Sequence, residues 1–143
     1  MTAALRDIPD AICNQIRGHL TGLPYGELQV VARRWFNATP PCVDIYPADP
    51  SQEATGMGIT SREVIWTLRA RVAINDEDTG QDLLLDLLDR QGGASMSAAV
   101  AADRTFGGAV DDSLLEQPTG HRIYEDVPGN SLLGCEWRLR CEL

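Results

Sequence analysis

From residue 132 the chain reads Leu132-Leu133-Gly134-Cys135-Glu136-Trp137-Arg138-Leu139-Arg140-Cys141-Glu142-Leu143. Successive side chains of an extended backbone point to opposite faces. Leu133, Cys135, Trp137, Leu139, Cys141 and Leu143 therefore share one face, and Glu136, Arg138, Arg140 and Glu142 the other. A second stretch repeats the pattern: Val64, Trp66, Leu68, Ala70, Val72 and Ile74 alternate with residues that include Thr67, Arg69 and Arg71. Two strands of this kind need a layer over their apolar side, with Trp66 and Trp137 beneath it. The charged side, Arg69, Arg71, Glu136, Arg138 and Arg140, is then solvated or meets a polar neighbour. If the two strands pair, Arg to Glu contacts across them contribute well under ~1 kcal/mol each.

The covering layer is legible on either side of these strands. Ile8, Ile12, Ile16 and Leu20 recur every four residues and predict a helix over about 9–20, with Asp7 and Pro9 as cap and first turn. Leu83, Leu84, Leu87 and Leu88 make the apolar stripe of a helix from Gln81 to Arg90, ended by Gly92-Gly93. Ser95 caps a short Ala-rich helix from Met96 to Asp103. A β-rich run from Leu28 to Asn37 and a short strand from Cys42 to Tyr46 follow the first helix. Further strands are expected over about Ala109 to Gln117 and His121 to Asp126, with a turn at Pro128-Gly129-Asn130. The order helix, three strands, two helices, three strands gives an α+β fold, a mainly antiparallel sheet with helices packed on one face.

At 143 residues there is room for one domain, spanning 1–143. Its longest loop is Pro47 to Ser61, rich in Pro, Gly and small polar residues, and a loop of that length is commonly functional. All 12 basic residues are Arg and the acidic ones number 21, so the net charge of -9 argues against gripping nucleic acid through its phosphates. No run approaches the roughly 20 apolar residues that span a bilayer, so no membrane partner is expected.

Catalysis needs convergent groups, and the candidates do not converge. Cys13, Cys42, Cys135 and Cys141 have no CxxC spacing and lie apart from His19 and His121, which reads as buried free thiols. Asp76, Glu77 and Asp78 before Gly80 suggest a calcium loop superficially, but a Leu-rich helix stands where further ligands are required; a helix-capping turn accounts for them. Asp111-Asp112 with Glu116 reads as an acidic strand start rather than an acid/base pair. Gly56-Met57-Gly58, Gly92-Gly93 and Gly107-Gly108 lack the spacing that brings backbone N–H groups to a phosphate. The expectation is no enzyme, no cofactor and no metal.

One resemblance speaks where site chemistry is silent. The amphipathic strand Trp66 to Ile74, the acidic turn and Leu-rich helix, Ser95-Met96-Ser97-Ala98-Ala99-Val100 and then Asp103-Arg104-Thr105-Phe106-Gly107-Gly108-Ala109-Val110-Asp111-Asp112 together resemble the tail terminator (tail completion) proteins of long-tailed, non-contractile phages of actinobacteria. Gly120-His121-Arg122-Ile123-Tyr124 and Leu132 to Trp137 fit the closing strands of that family. The similarity covers about residues 40–143 and is most specific at Asp103 to Gly108.

The resemblance implies a small α+β subunit of a ring, usually of six copies, seated on the tail tube protein and offering a second surface to the head completion or connector protein. It implies a place at the head-tail junction of the virion, after assembly in the host cytoplasm. Genomic DNA passes through such a ring without specific binding, which suits an acidic wall. A ring of identical copies needs one patch to meet a different one. The expected contact loop contains Gln52, Glu53, Met57 and Ile59, and the expected channel-facing acids are drawn from Asp76, Glu77, Asp78, Asp111 and Asp112. A head completion or head-tail adaptor protein is the nearest alternative; a tail tube protein, a small enzyme and a host-derived binding domain are the others.

Overall fold

The alternating C-terminal stretch forms the longest strand of the sheet, β6 (Asn130–Glu142), in the computed structural model, which describes residues 4–20, 28–52, 63–74, 77–92 and 95–143. β3 (Glu63–Ala73) pairs with it antiparallel along its whole length, from Glu63 opposite Glu142 to Ala73 opposite Leu132. β2 (Cys42–Gln52) lies antiparallel on the other side of β3, and β1 (Gln29–Val31) adds a short parallel edge to β2. The remaining edge of β6 is shared by β4 (Asp112–Leu115), opposite residues 139–142, and β5 (Thr119–Val127), opposite residues 130–136. The sheet is thus mostly antiparallel and the fold is α+β.

Three helices cover one face: α1 (Ile8–Leu20), α2 (Glu77–Leu88) and α3 (Met96–Ala101). Ile8, Ile12 and Ile16 from α1, Leu83, Leu84 and Leu87 from α2, and Met96 and Val100 from α3 close over Trp66, Leu68, Val72, Trp137 and Leu139. Full burial of each large aliphatic side chain contributes about 1.5–3 kcal/mol relative to exposure, so this layer is the main source of stability. Trp66 and Trp137 lie in the core as their parity demands, whereas Ile74, just past the end of β3, is exposed. Ser95 accepts the N–H of Ala98 and donates to the carbonyl of Asp89, capping α3 and tying it to the end of α2. Gln15 of α1 donates to the carbonyls of Ala99, Val100 and Asp103, satisfying the opposite end of α3. All four cysteines are buried free thiols.

Several boundaries differ from the sequence reading, each for a physical reason. Asp7 belongs to a 3-10 turn, Leu5–Asp7, that leads directly into α1, rather than standing at a free helix start. The run from Leu28 to Asn37 is a strand only at Gln29–Val31: beyond it, side chains take the backbone groups a ladder would use, with Asp44 accepting the N–H of Trp35 and Arg71 donating to its carbonyl. β2 does not stop at Tyr46 but continues to Gln52, so residues 47–52 of the expected loop are strand and residues 53–61 lie outside the described residues. Pro47 and Pro50 are tolerated there because β1 covers only residues 42–44 of β2 and the register against β3 shifts between Pro47 and Gln52. α3 ends at Ala101 and β4 starts only at Asp112, because residues 103–110 form a turn of their own.

Candidate functional site

The polar face of the sheet is where the sequence reading changes most. Arg69 stands opposite Asp44 in the pairing of β2 with β3, and its Nε and Nη2 donate to that carboxylate at 3.2 and 2.8 Å. Asp126 of β5 takes the other side of the same guanidinium, at 3.1 and 2.7 Å. Arg71 lies 3.3 Å from Asp44 and 3.5 Å from Asp126, and donates to the Trp35 carbonyl at 2.6 Å. Arg69 and Arg71 are each only 1% exposed and Asp44 is fully buried, so this is an interior ion network and not a solvated face. Arg34, half-exposed, completes it at 3.8 Å from Asp126.

Aromatic rings alternate with these guanidinium groups. Arg34 lies over Phe36 and Tyr46, Arg69 over Tyr46 and Tyr124, and Arg122 over Tyr124, at 4.0 to 5.5 Å from the ring centroids. Such contacts contribute most where water is excluded, as at Arg69. The Tyr124 hydroxyl donates to the Gly120 carbonyl at 2.6 Å, and burial, with the nearby Glu136 carboxylate, pushes its pKa up to about 12. Burial works against the charge of Arg69, but its hydrogen bonds to Asp44 and Asp126 outweigh that and raise its pKa. Burial likewise works to raise the Asp126 carboxyl, and the hydrogen bonds and charge of Arg69, then the charges of Arg34 and Arg71, hold it below its ordinary value.

The cluster clamps the 32–41 segment, β2, β3 and β5 together.

The expected pairing of Arg69 and Arg71 with glutamates is therefore corrected: aspartates from β2 and β5 hold them, although Glu136 stands opposite Arg69 in register. Asp44 sits directly across the other flank and the β5–β6 hairpin brings Asp126 over, so shorter carboxylates reach the guanidinium at close range. Asp44, Asp126, Tyr46, Tyr124 and Trp35 were not singled out by the sequence; a lone Asp amid apolar residues 42–46 was the available signal. At the other end of the same face, Arg140 does meet glutamates, donating to Glu63 and Glu116 at 2.6 Å each. Arg138 lies 3.8 Å from Glu116.

The acidic candidates do not gather in one place. Asp76 lies outside the described residues, while Glu77 and Asp78 form the first turn of α2, after the end of β3. Asp111 and Asp112 lie at the opposite end of that strand, near Glu63 and Glu142, about 33 Å away at ~3.3 Å per strand residue. There Glu63, Glu142 and Asp112 stand in register across β3, β6 and β4, an acidic row the sequence did not disclose. Arg140 and Arg104 relieve it, Arg104 lying 2.8 Å from Asp112. Of the expected contact loop, Gln52 ends β2 opposite Val64, and Glu53, Met57 and Ile59 lie outside the described residues.

The segment from Asp103 to Gly108 is a self-bonded unit. The Asp103 carboxylate accepts the Thr105 hydroxyl at 2.8 Å and the N–H groups of Thr105 and Gly107 at 3.0 and 2.9 Å. These bonds, the Thr105 hydroxyl's first, lower the pKa of Asp103. Three consecutive residues, Phe106, Gly107 and Gly108, have φ of 49, 72 and 89°, a conformation that favours glycine at the last two. Phe106 tolerates it while its ring enters the core. Arg104 and Ser113 exchange hydrogen bonds with each other's carbonyls, fastening the turn to β4.

Among the described residues no group of three or more His, Cys, Asp or Glu could hold a metal ion, and no helix is long and apolar enough to cross a membrane. Compared with known proteins, the chain matches no family model and no curated protein.

Proposed function

We propose that this chain is a structural virion protein, the ring-forming subunit that caps the tail tube of a long-tailed, non-contractile phage. It ends tail polymerisation and provides the surface for joining to the head connector, catalysing no reaction. The observation that carries this reading is the Asp103–Asp112 segment. The residues most specific to the resemblance to tail terminators here form one hydrogen-bonded turn between α3 and β4, shaped by the Asp103 carboxylate, the Thr105 hydroxyl and the glycines at 107 and 108. A generic glycine turn between a helix and a strand needs neither of the first two.

Two further features support the reading. A net charge of -9 suits a ring through which DNA must slide without adhering. The acidic row of Glu63, Glu142 and Asp112 offers one such wall. Replacing Asp111 and Asp112 with Arg, and separately Asp76, Glu77 and Asp78, tests which end lines the channel: slowed DNA ejection is expected from one set, and unchanged ejection from both removes the acidic-channel idea.

The decisive experiment is loss of the gene from its phage. Overlong tails with unattached, filled heads are expected for a terminator; normal-length free tails would assign the chain to a head-tail adaptor instead. Because Gln52 closes β2, the contact-loop idea is tested by deleting Glu53 to Gly58. A folded chain that no longer caps tails is expected, and normal tail length in that variant would sink the idea.

A further inference from the structure

Where β1 and β2 meet the start of α1, a groove of about 480 Å³ opens, with Leu5, Pro9, Ile45 and Trp66 among its walls and Arg6, Arg33 and Arg34 around it. Among the described residues no acidic side chain lines it, in a protein whose acids outnumber its bases 21 to 12. Arg6 and Arg33 are exposed and form no ion pair among the described residues. At the groove, Trp66 is only 4% exposed, yet its indole N–H has no acceptor among the described residues.

The complementary surface lies elsewhere on the same chain. α2 packs on β3 through Leu83, Leu84 and Leu87, which leaves Asp82, Leu85 and Asp86 on its outer side, with Asp89 just beyond its end. Leu85 is 62% exposed, the most exposed large hydrophobic residue described. Spacings of three and four put the carboxylates and the leucine on one helical stripe. This is an apolar knob among negative charges, and the groove is an apolar trough among positive ones.

We propose that the groove of one copy receives the outer face of α2 of a second copy, Leu85 entering the trough and Asp82 and Asp86 meeting Arg6, Arg33 and Arg34. Because the two patches differ and lie apart, the contact is heterologous and leaves each bound copy with one unused patch, as a ring requires. The inference rests on the ring reading and supplies its subunit contact.

The test is association of the purified full chain, followed by sedimentation velocity across concentration and salt. Wild type is expected to associate, less so at high salt, because rim charges are screened. Leu85→Asp and the double variant Arg6→Glu/Arg33→Glu should each weaken association roughly tenfold or more while keeping wild-type thermal unfolding. Mixed together, the two variants should form one-to-one pairs and stop there, since the mixture contains one intact helix patch and one intact groove. A wild type that stays monomeric, or a mixture that forms no pairs, overturns the contact and assigns the groove to some other occupant. The ring reading fails on different evidence: normal tails after gene loss refute it whatever the chain does in solution, and capped tails in the Leu85→Asp phage overturn this contact alone.

Discussion

Replacing Asp44 with Ala removes the carboxylate that receives two hydrogen bonds from Arg69 and the N–H of Trp35. Arg69 and Arg71, both 1% exposed, are then left with Asp126 as their remaining close carboxylate. Taking one partner from a buried ion pair destabilises by about 3–5 kcal/mol, against about 0–1 kcal/mol for an exposed pair. The stranded Trp35 N–H adds a penalty that overlaps the first, so a loss of about 4 kcal/mol is expected. Set against a typical total of about 5–15 kcal/mol, that is a large fraction of the stability. With a urea slope of about 2 kcal/mol per molar, the unfolding midpoint should fall by about 2 M, read in parallel by tryptophan fluorescence and circular dichroism. Replacing Asp44 with Leu and Arg69 with Met together should recover much of the loss, because neither charge is then stranded. A loss below about 1 kcal/mol for Asp44→Ala would refute the reasoning, since the network would then behave as a solvent-screened surface cluster.

Asp126 and Asp103 both have folded-state pKa values below their ordinary ones, so the stability they contribute is present above the unfolded carboxyl range and lost as pH falls through the folded values. Urea midpoints should therefore drop from about pH 4 downward, and Asp126→Asn should flatten that drop. Gly134→Ala should destabilise by about 3 kcal/mol in the same urea titration, because its Cβ would stand 2.3 Å from the Ala70 carbonyl oxygen, too close for a backbone neighbour to yield cheaply. Gly18→Ala, on α1 with open space around the added methyl, should instead stabilise by about 0.5–1 kcal/mol, seen as a higher unfolding temperature.

The parts of the fold readable in the sequence are those whose apolar residues recur with a fixed period. β3 and β6 announced themselves by alternation, and α1 and α2 by Ile and Leu at helical spacing, because each turns an apolar face to the shared core, even though β3 is buried on both of its faces. The 32–41 segment was misread since Arg33 to Phe36 carry strand propensity, while what decides their course is a carboxylate and a guanidinium arriving from β2 and β3. The ion network was hidden for a related reason: Arg69 finds its partners 25 and 57 residues away, a relation that register creates and local composition does not record. Asp103 to Gly108 stood out as a pattern, but its reason, three successive positive φ angles braced by the Asp103 carboxylate and the Thr105 hydroxyl, belongs to three dimensions.

The four buried thiols carry a consequence of their own. Burial raises the pKa of each, to about 11 for Cys42 and about 12 for Cys135 and Cys141, so the reactive thiolate is scarce as well as shielded. Each sulfur becomes labelled only when its own neighbourhood opens, which makes the chain a set of four built-in stopwatches. Cys13 times the lifting of α1, Cys42 the departure of β2, and Cys135 and Cys141 the two halves of the central strand. Labelling rates taken before and after copies meet would show which stopwatch slows, and so where the molecule is being held shut.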